Sequence, residues 1–177
     1  MVKTQLTPCK VPWMISPSIG AVTLTHTETD VRPECSVVLG GVGRTEKGEP
    51  DSRRIEIEFG MCYHTRTLPL DGGGVHRIYP VEPRYEGDVN EYLDWLQREW
   101  MTTGLCSSPG FYVATESAWL AALGERYEGT HHYVVVGRDG YVELIAERYR
   151  WQEWMWTTGS RDDLATLGPV VETGKGE

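Results

Sequence analysis

The sequence predicts an α+β fold: one mainly antiparallel sheet of about five or six strands, with helices 89–103 and 115–124 packed mainly on one face. Three observations carry this. Asp139-Gly140 separates two β-rich runs, His132–Val136 and Tyr141–Glu147, and that spacing marks a hairpin. Arg54–His64 alternates strictly. Ile55, Ile57, Phe59, Met61 and Tyr63 take one side, and Glu56, Glu58, Gly60, Cys62 and His64 take the other. Such a strand is covered on one side and wet on the other, as in an antiparallel sheet. Finally, Asp88 and Glu91 have capping-box spacing ahead of a helical stripe of Val89, Tyr92, Leu93, Leu96 and Trp100, and Gly104 suits the helix end.

The remaining elements follow in order. With 177 residues, the chain reads as a single domain, 1–177, able to bury a core without disulfide staples. Residues 1–18 carry Pro8, Pro12 and Pro17 and are expected to run extended over the surface, pinned by Trp13 and Ile15. Short strands are expected over Gly20–Thr25 and Cys35–Leu39, and the glycine-rich stretch Gly40–Gly48 reads as a mobile connection. Asp71–Gly74 is a turn, and Ile78–Arg84 is broken by prolines. Phe111–Ala114 reads as a strand, and Thr115 as the cap of a second helix with Trp119, Leu120 and Leu123 inward. From Thr157 the chain turns polar and Gly-rich, so 157–177 is expected to be a partly disordered tail.

Two hairpin registers compete. A two-residue loop at Asp139-Gly140 sets His132 opposite Glu147. A turn at Arg138-Asp139 with Gly140 in a bulge sets His131 opposite Glu147 and stacks Val134, Val136, Val142, Leu144 and Ala146 on one face. The bulge is preferred for that apolar set. In both, Glu147 faces a histidine.

Composition excludes several classes. The net charge of −9 is wrong for a surface built to hold phosphates or anionic lipid, so no nucleic-acid or membrane partner is expected; it suits a partner of basic character. Cys9, Cys35, Cys62 and Cys106 are unevenly spaced and form no CxxC, which reads as reduced thiols in a cytoplasmic protein. Two motifs fail on inspection. Gly41–Gly48 has Glu46 where a phosphate loop needs Gly and Gly48 where it needs Ser or Thr. His26 and His64 are followed two residues on by Glu28 and Arg66, not by the Ser or Thr of two-histidine phosphoesterases.

Four chemical readings remain. Cys62 and His64, two apart on a strand, would chelate a metal if His131 or His132 and Glu147 joined them; nothing in the sequence brings them together, so no metal or other cofactor is expected. Cys106, then His131 or His132, then Glu147 follow the order nucleophile, base and orienting group used by papain-like amidases. Three residues without a motif make no family resemblance, and a small cysteine hydrolase is the alternative function. Glu56 with Glu58, or Glu143 with Glu147, share strand faces as acid–base pairs do, yet they read equally well as wet-face carboxylates. The favoured reading rests on aromatics: seven Trp and nine Tyr against two Phe, residues suited to half-buried recognition surfaces. Tyr141, Glu143, Ile145, Glu147, Tyr149 and Trp151 are expected on one exposed strand face, with Trp154 and Trp156 following. The expected function is therefore a non-enzymatic, acidic binding protein of the inhibitor or immunity kind, contacting a protein or small molecule through that face.

Overall fold

A computed structural model describes residues 4–16, 23–28, 33–45, 47–70, 79, 81, 87–88, 91–156 and 167–176; for 26–28, 33, 93, 156 and 167–176 it describes the backbone alone. The described strands are β1 (Gln5–Pro8), β2 (Met14–Ile15), β3 (Thr23–Glu28), β4 (Pro33–Arg44), β5 (Pro50–Pro69), β6 (Phe111–Thr115), β7 (His131–Val136), β8 (Gly140–Trp156) and β9 (Leu167–Gly176). Helix α1 spans Tyr92–Thr103, helix α2 spans Ala118–Leu123, and a 3-10 turn covers Glu125–Tyr127. All nine strands join one antiparallel sheet, ordered β1-β6-β7-β8-β5-β4-β2, with β3 also on β4 and β9 also on β8.

This overturns the predicted α+β layer of five or six strands under two helices. The sheet is larger and curls into a half-barrel, and of the described helices only α1 exceeds seven residues. Curling lets the sheet bury its own face, so helices are not needed to cover it. Cys9, Val11, Trp13, Val37, Ile55, Ile57, Phe59, Phe111, Tyr133, Val135 and Leu144 all belong to one core. Trp13 lies fully buried within it, stacked on Phe111 at 6.1 Å and edge-on to Trp151 at 6.0 Å, rather than pinning a surface segment.

The glycine-rich stretch read as a mobile connection is strand through Arg44. Its glycines admit close packing: a Cβ on Gly41 would lie 2.1 Å from Ile55 Cδ1 and 2.8 Å from the Met14 carbonyl oxygen. At the other end of the chain, Leu167–Gly176, read as polar tail, pairs with β8 as β9.

Neither helix sits where a covering layer would. Helix α1 packs Leu96 and Trp100 with Cys106, Met14 and Val42, at the β2–β4 side of the sheet. Its N-cap is Glu91, which makes no side-chain cap, so the helix opens three residues later than the capping-box spacing predicts; Val89 lies outside the described residues. Gly104 does end it, at φ 75, donating its N–H to the Trp100 carbonyl. Helix α2 is capped by Ser117 rather than Thr115 and buries none of its residues.

The hairpin forms, in a third register. Val136 pairs with Tyr141, His132 with Ile145 and His131 with Ala146, leaving Arg138-Asp139 as the loop. Glu147 therefore faces neither histidine. Gly140 is not the positive-φ turn residue; it is strand, paired with Pro69, and its carbonyl accepts from the Gly137 N–H at 2.8 Å.

Two slips in the β5–β8 ladder decide which residues share a face. Val142, Leu144 and Ala146 point into the core, and so do Tyr149 and Trp151, so Glu147 and Arg148 occupy a step where one residue would keep the alternation. Strand β5 slips opposite them: Ile55, Ile57 and Phe59 are core, and the next core residue is Cys62, across Gly60 and Met61, the latter at φ 54. A further one-residue shift between Cys62 and His64 then turns His64, Arg66 and Leu68 to the side of Ile145, Glu143 and Tyr141.

Candidate functional site

The face opposite the core is polar at its centre and covered. Tyr141 packs with Leu6, Tyr112, Ala114 and Val134, and Leu68, Leu70, Tyr79 and Val81 close over them. Val81 bridges to Leu6, so Tyr79 and Val81 lie as a short strap across this face.

Beside this strap lies Glu143, with no exposure at all. Arg66, directly across the ladder, bonds its carboxylate through Nε. Tyr79 donates its hydroxyl to Oε1 at 2.7 Å and accepts from Arg66 at 3.3 Å. The Arg66 guanidinium also stacks on Trp119 at 4.2 Å, which gives the unburied helix α2 a hold on the sheet. Burial alone would raise the Glu143 carboxyl, but the His132 ring, Arg66 and Tyr79 outweigh it and hold the group below the usual carboxylate range. The Tyr79 phenol is pushed up by burial and by the carboxylate it donates to.

His132, 1 % exposed, stands on β7 two residues from Val134, the partner of Glu143 in the ladder, and its Nε2 lies 3.7 Å from Glu143 Oε2 with no hydrogen bond among the described residues. Its Nδ1 lies 2.8 Å from Ser117 Oγ. The carboxylate favours the proton on Nε2, which leaves Nδ1 as the acceptor of the Ser117 hydroxyl. Ser117 Oγ accepts in turn from the Leu120 N–H at 3.0 Å. Ser117, His132 and Glu143 thus form one directed chain, edged by Trp119 at 5.2 Å from the His132 ring.

Local sequence explains the placement of Ser117. It follows Glu116, a non-glycine residue at φ 52, at the turn from β6 into α2. Thr4 secures that turn: its hydroxyl accepts from the Ala118 N–H at 2.9 Å and reaches the Glu116 carbonyl at 3.5 Å. In front of Ser117 and His132 opens a cavity of about 770 Å³, with Glu116, Glu125, Glu128 and Tyr127 also among its walls. Tyr127 is held by His64, 2.9 Å from its hydroxyl. Among the described lining residues there is no lysine or arginine; Arg126 lies 6.0 Å over the Tyr127 ring.

The residues singled out from sequence fall apart into several places. His132 and Glu143 meet, though they were assigned to different readings. Tyr141 and Glu143 are covered, and Tyr149 and Trp151 are in the core, so the exposed aromatic face does not exist. Trp154 is half-buried, with Arg54 5.7 Å over its ring. Glu147 accepts from the Tyr63 hydroxyl at 3.0 Å, and His131 lies beside Tyr133. Cys106 is buried with Leu96 and Trp100, apart from the histidines; burial pushes its thiol up to about 12, and the nearest influences are the Ser108 backbone and Glu99. Cys62 turns into the core while His64 turns to Tyr127, so they do not chelate together. Glu58 is bonded by Arg150 and Gln152 rather than paired with Glu56.

Sequence reasoning missed Ser117, Arg66, Tyr79, Trp119 and Tyr127 as site residues. A signal existed for Ser117, since Ser before Ala-Trp-Leu-Ala-Ala-Leu is a good N-cap. Arg66 and Tyr79 had none, because a bulge and a strap put them there. Comparison with known protein families, with curated proteins and with solved structures finds no match to the chain. No described helix is long and apolar enough to cross a membrane.

Proposed function

We propose that this protein binds a small basic molecule in the cavity beneath α2. The observation that carries the reading is the wall composition: Glu116, Glu125, Glu128 and Tyr127 line the space, and among the described lining residues there is no lysine or arginine. Carboxylates beside an aromatic face favour an organic cation, by charge and by the ring quadrupole. The net charge of −9 adds attraction at longer range. The basic partner expected from composition is thus a small molecule meeting a cavity, not a protein meeting the sheet. Four buried cysteine thiols, none in a disulfide, suit a reducing, cytoplasmic setting.

Calorimetric titration with agmatine and spermidine tests this, with citrate as the anionic control. Binding of the cations should weaken at least tenfold in a Glu125→Lys, Glu128→Lys double variant, and should fall as salt rises. Absence of cation binding, or equal binding of citrate, would overturn the reading.

A further inference from the structure

We propose that Ser117 is the nucleophile of an acyl-transfer site acting on small carboxylic esters, with His132 Nδ1 as its base and Glu143 as a positioning carboxylate. Helix capping requires Ser117 only to accept the Leu120 N–H, as it does at 3.0 Å. Its hydroxyl is additionally aimed at a buried imidazole nitrogen 2.8 Å away. The opposite nitrogen has no hydrogen-bond partner among the described residues and faces Glu143 at 3.7 Å, an arrangement that gains strength when the ring takes a second proton. Most buried polar atoms have a hydrogen-bond partner, so this nitrogen calls for a role beyond packing. The strained Glu116 immediately before Ser117, held by Thr4, fixes the hydroxyl at the cavity wall, and both Ser117 and His132 line that space.

The step balances without a cofactor. Ser117 Oγ attacks the acyl carbon while its proton passes to Nδ1. The carbon–oxygen bond to the alcohol then breaks, and the alcohol departs with that proton. Water, deprotonated by the same nitrogen, releases the acid and restores the hydroxyl. Glu143 stabilises the imidazolium in both halves and stays ionised. The proposal uses the cavity but does not require its occupant to be cationic.

Diisopropyl fluorophosphate, a small neutral reagent, separates the two ideas. Incubated with the folded full chain, it should leave a single phosphoryl adduct that peptide mapping places on Ser117, with fluoride lost. The same protein should hydrolyse p-nitrophenyl acetate. Ser117→Asn keeps an oxygen able to cap α2 and should take no adduct there. Glu143→Gln should slow labelling about 100-fold and shift its pH profile while circular dichroism stays native. Failure of folded wild-type protein to form the Ser117 adduct overturns the proposal, as does equal labelling of a folded His132→Gln variant. Cation binding is read separately by calorimetry, so either idea can fail alone.

Discussion

Arg66 stands directly across from Glu143 in the β5–β8 ladder and joins that wholly buried carboxylate to the face of Trp119. Its removal strands a buried charge and loosens α2. Arg66→Met should cost about 1–3 kcal/mol, below the figure for a dry pair because the Arg66 side chain is 40 % exposed. Urea unfolding measures it, and an unchanged midpoint would show that the pair holds nothing.

Acid should weaken the fold through Glu143. Its folded carboxyl titrates below the unfolded one, so its contribution is complete above the unfolded value, near pH ~4.3, and is lost as pH falls through the depressed folded value. Stability measured from pH 6 downward to pH ~2 should therefore drop more steeply in wild type than in Glu143→Gln, which starts lower at neutral pH. Parallel curves would mean that another carboxylate governs acid unfolding.

Trp151 should matter to folding rather than to recognition. It is 6 % exposed and edge-on to Trp13, so Trp151→Ala should cost about 3–5 kcal/mol. Trp154, half-buried under Arg54, should cost clearly less. Thermal melts of the two variants side by side check the order; equal losses would contradict the face assignment at the slip.

The thiols should be silent in the native state. Cys9, Cys35, Cys62 and Cys106 are all buried, and burial drives Cys9 and Cys106 up to about 12. Native protein treated with Ellman's reagent at pH 8 should show no fast-reacting thiol, and four should react in urea. A fast thiol at Cys106 would revive the cysteine-nucleophile alternative.

Much of the local structure was legible. Alternation in Arg54–Phe59, the β-branched runs around Arg138-Asp139 and the helical stripe of Leu96 and Trp100 each reflect a side-chain period that the backbone fixes by itself. Turn chemistry was less decisive. Asp139-Gly140 resembles a standard hairpin loop, yet pairing of β8 with β5 and β7 together sets the register one residue away from the bulge and two away from the two-residue loop.

What only the tertiary structure decided is which residues look at one another. A period of two assigns faces only while it is unbroken, and the joint slip at Gly60-Met61 and Glu147-Arg148 exchanges the faces on both strands. That slip sends Tyr149 and Trp151 into the core and leaves Glu143 outside it. The next shift brings Arg66 opposite Glu143, and the strap adds Tyr79, because an ionised group without solvent must be met by donors from any segment that can reach it. By itself the sequence determined strands, their apolar content and an acidic surface. The Ser117–His132–Glu143 chain required the pairing of β6 with β7 and of β7 with β8, which sets the turn after β6 beside His132 and His132 beside Glu143.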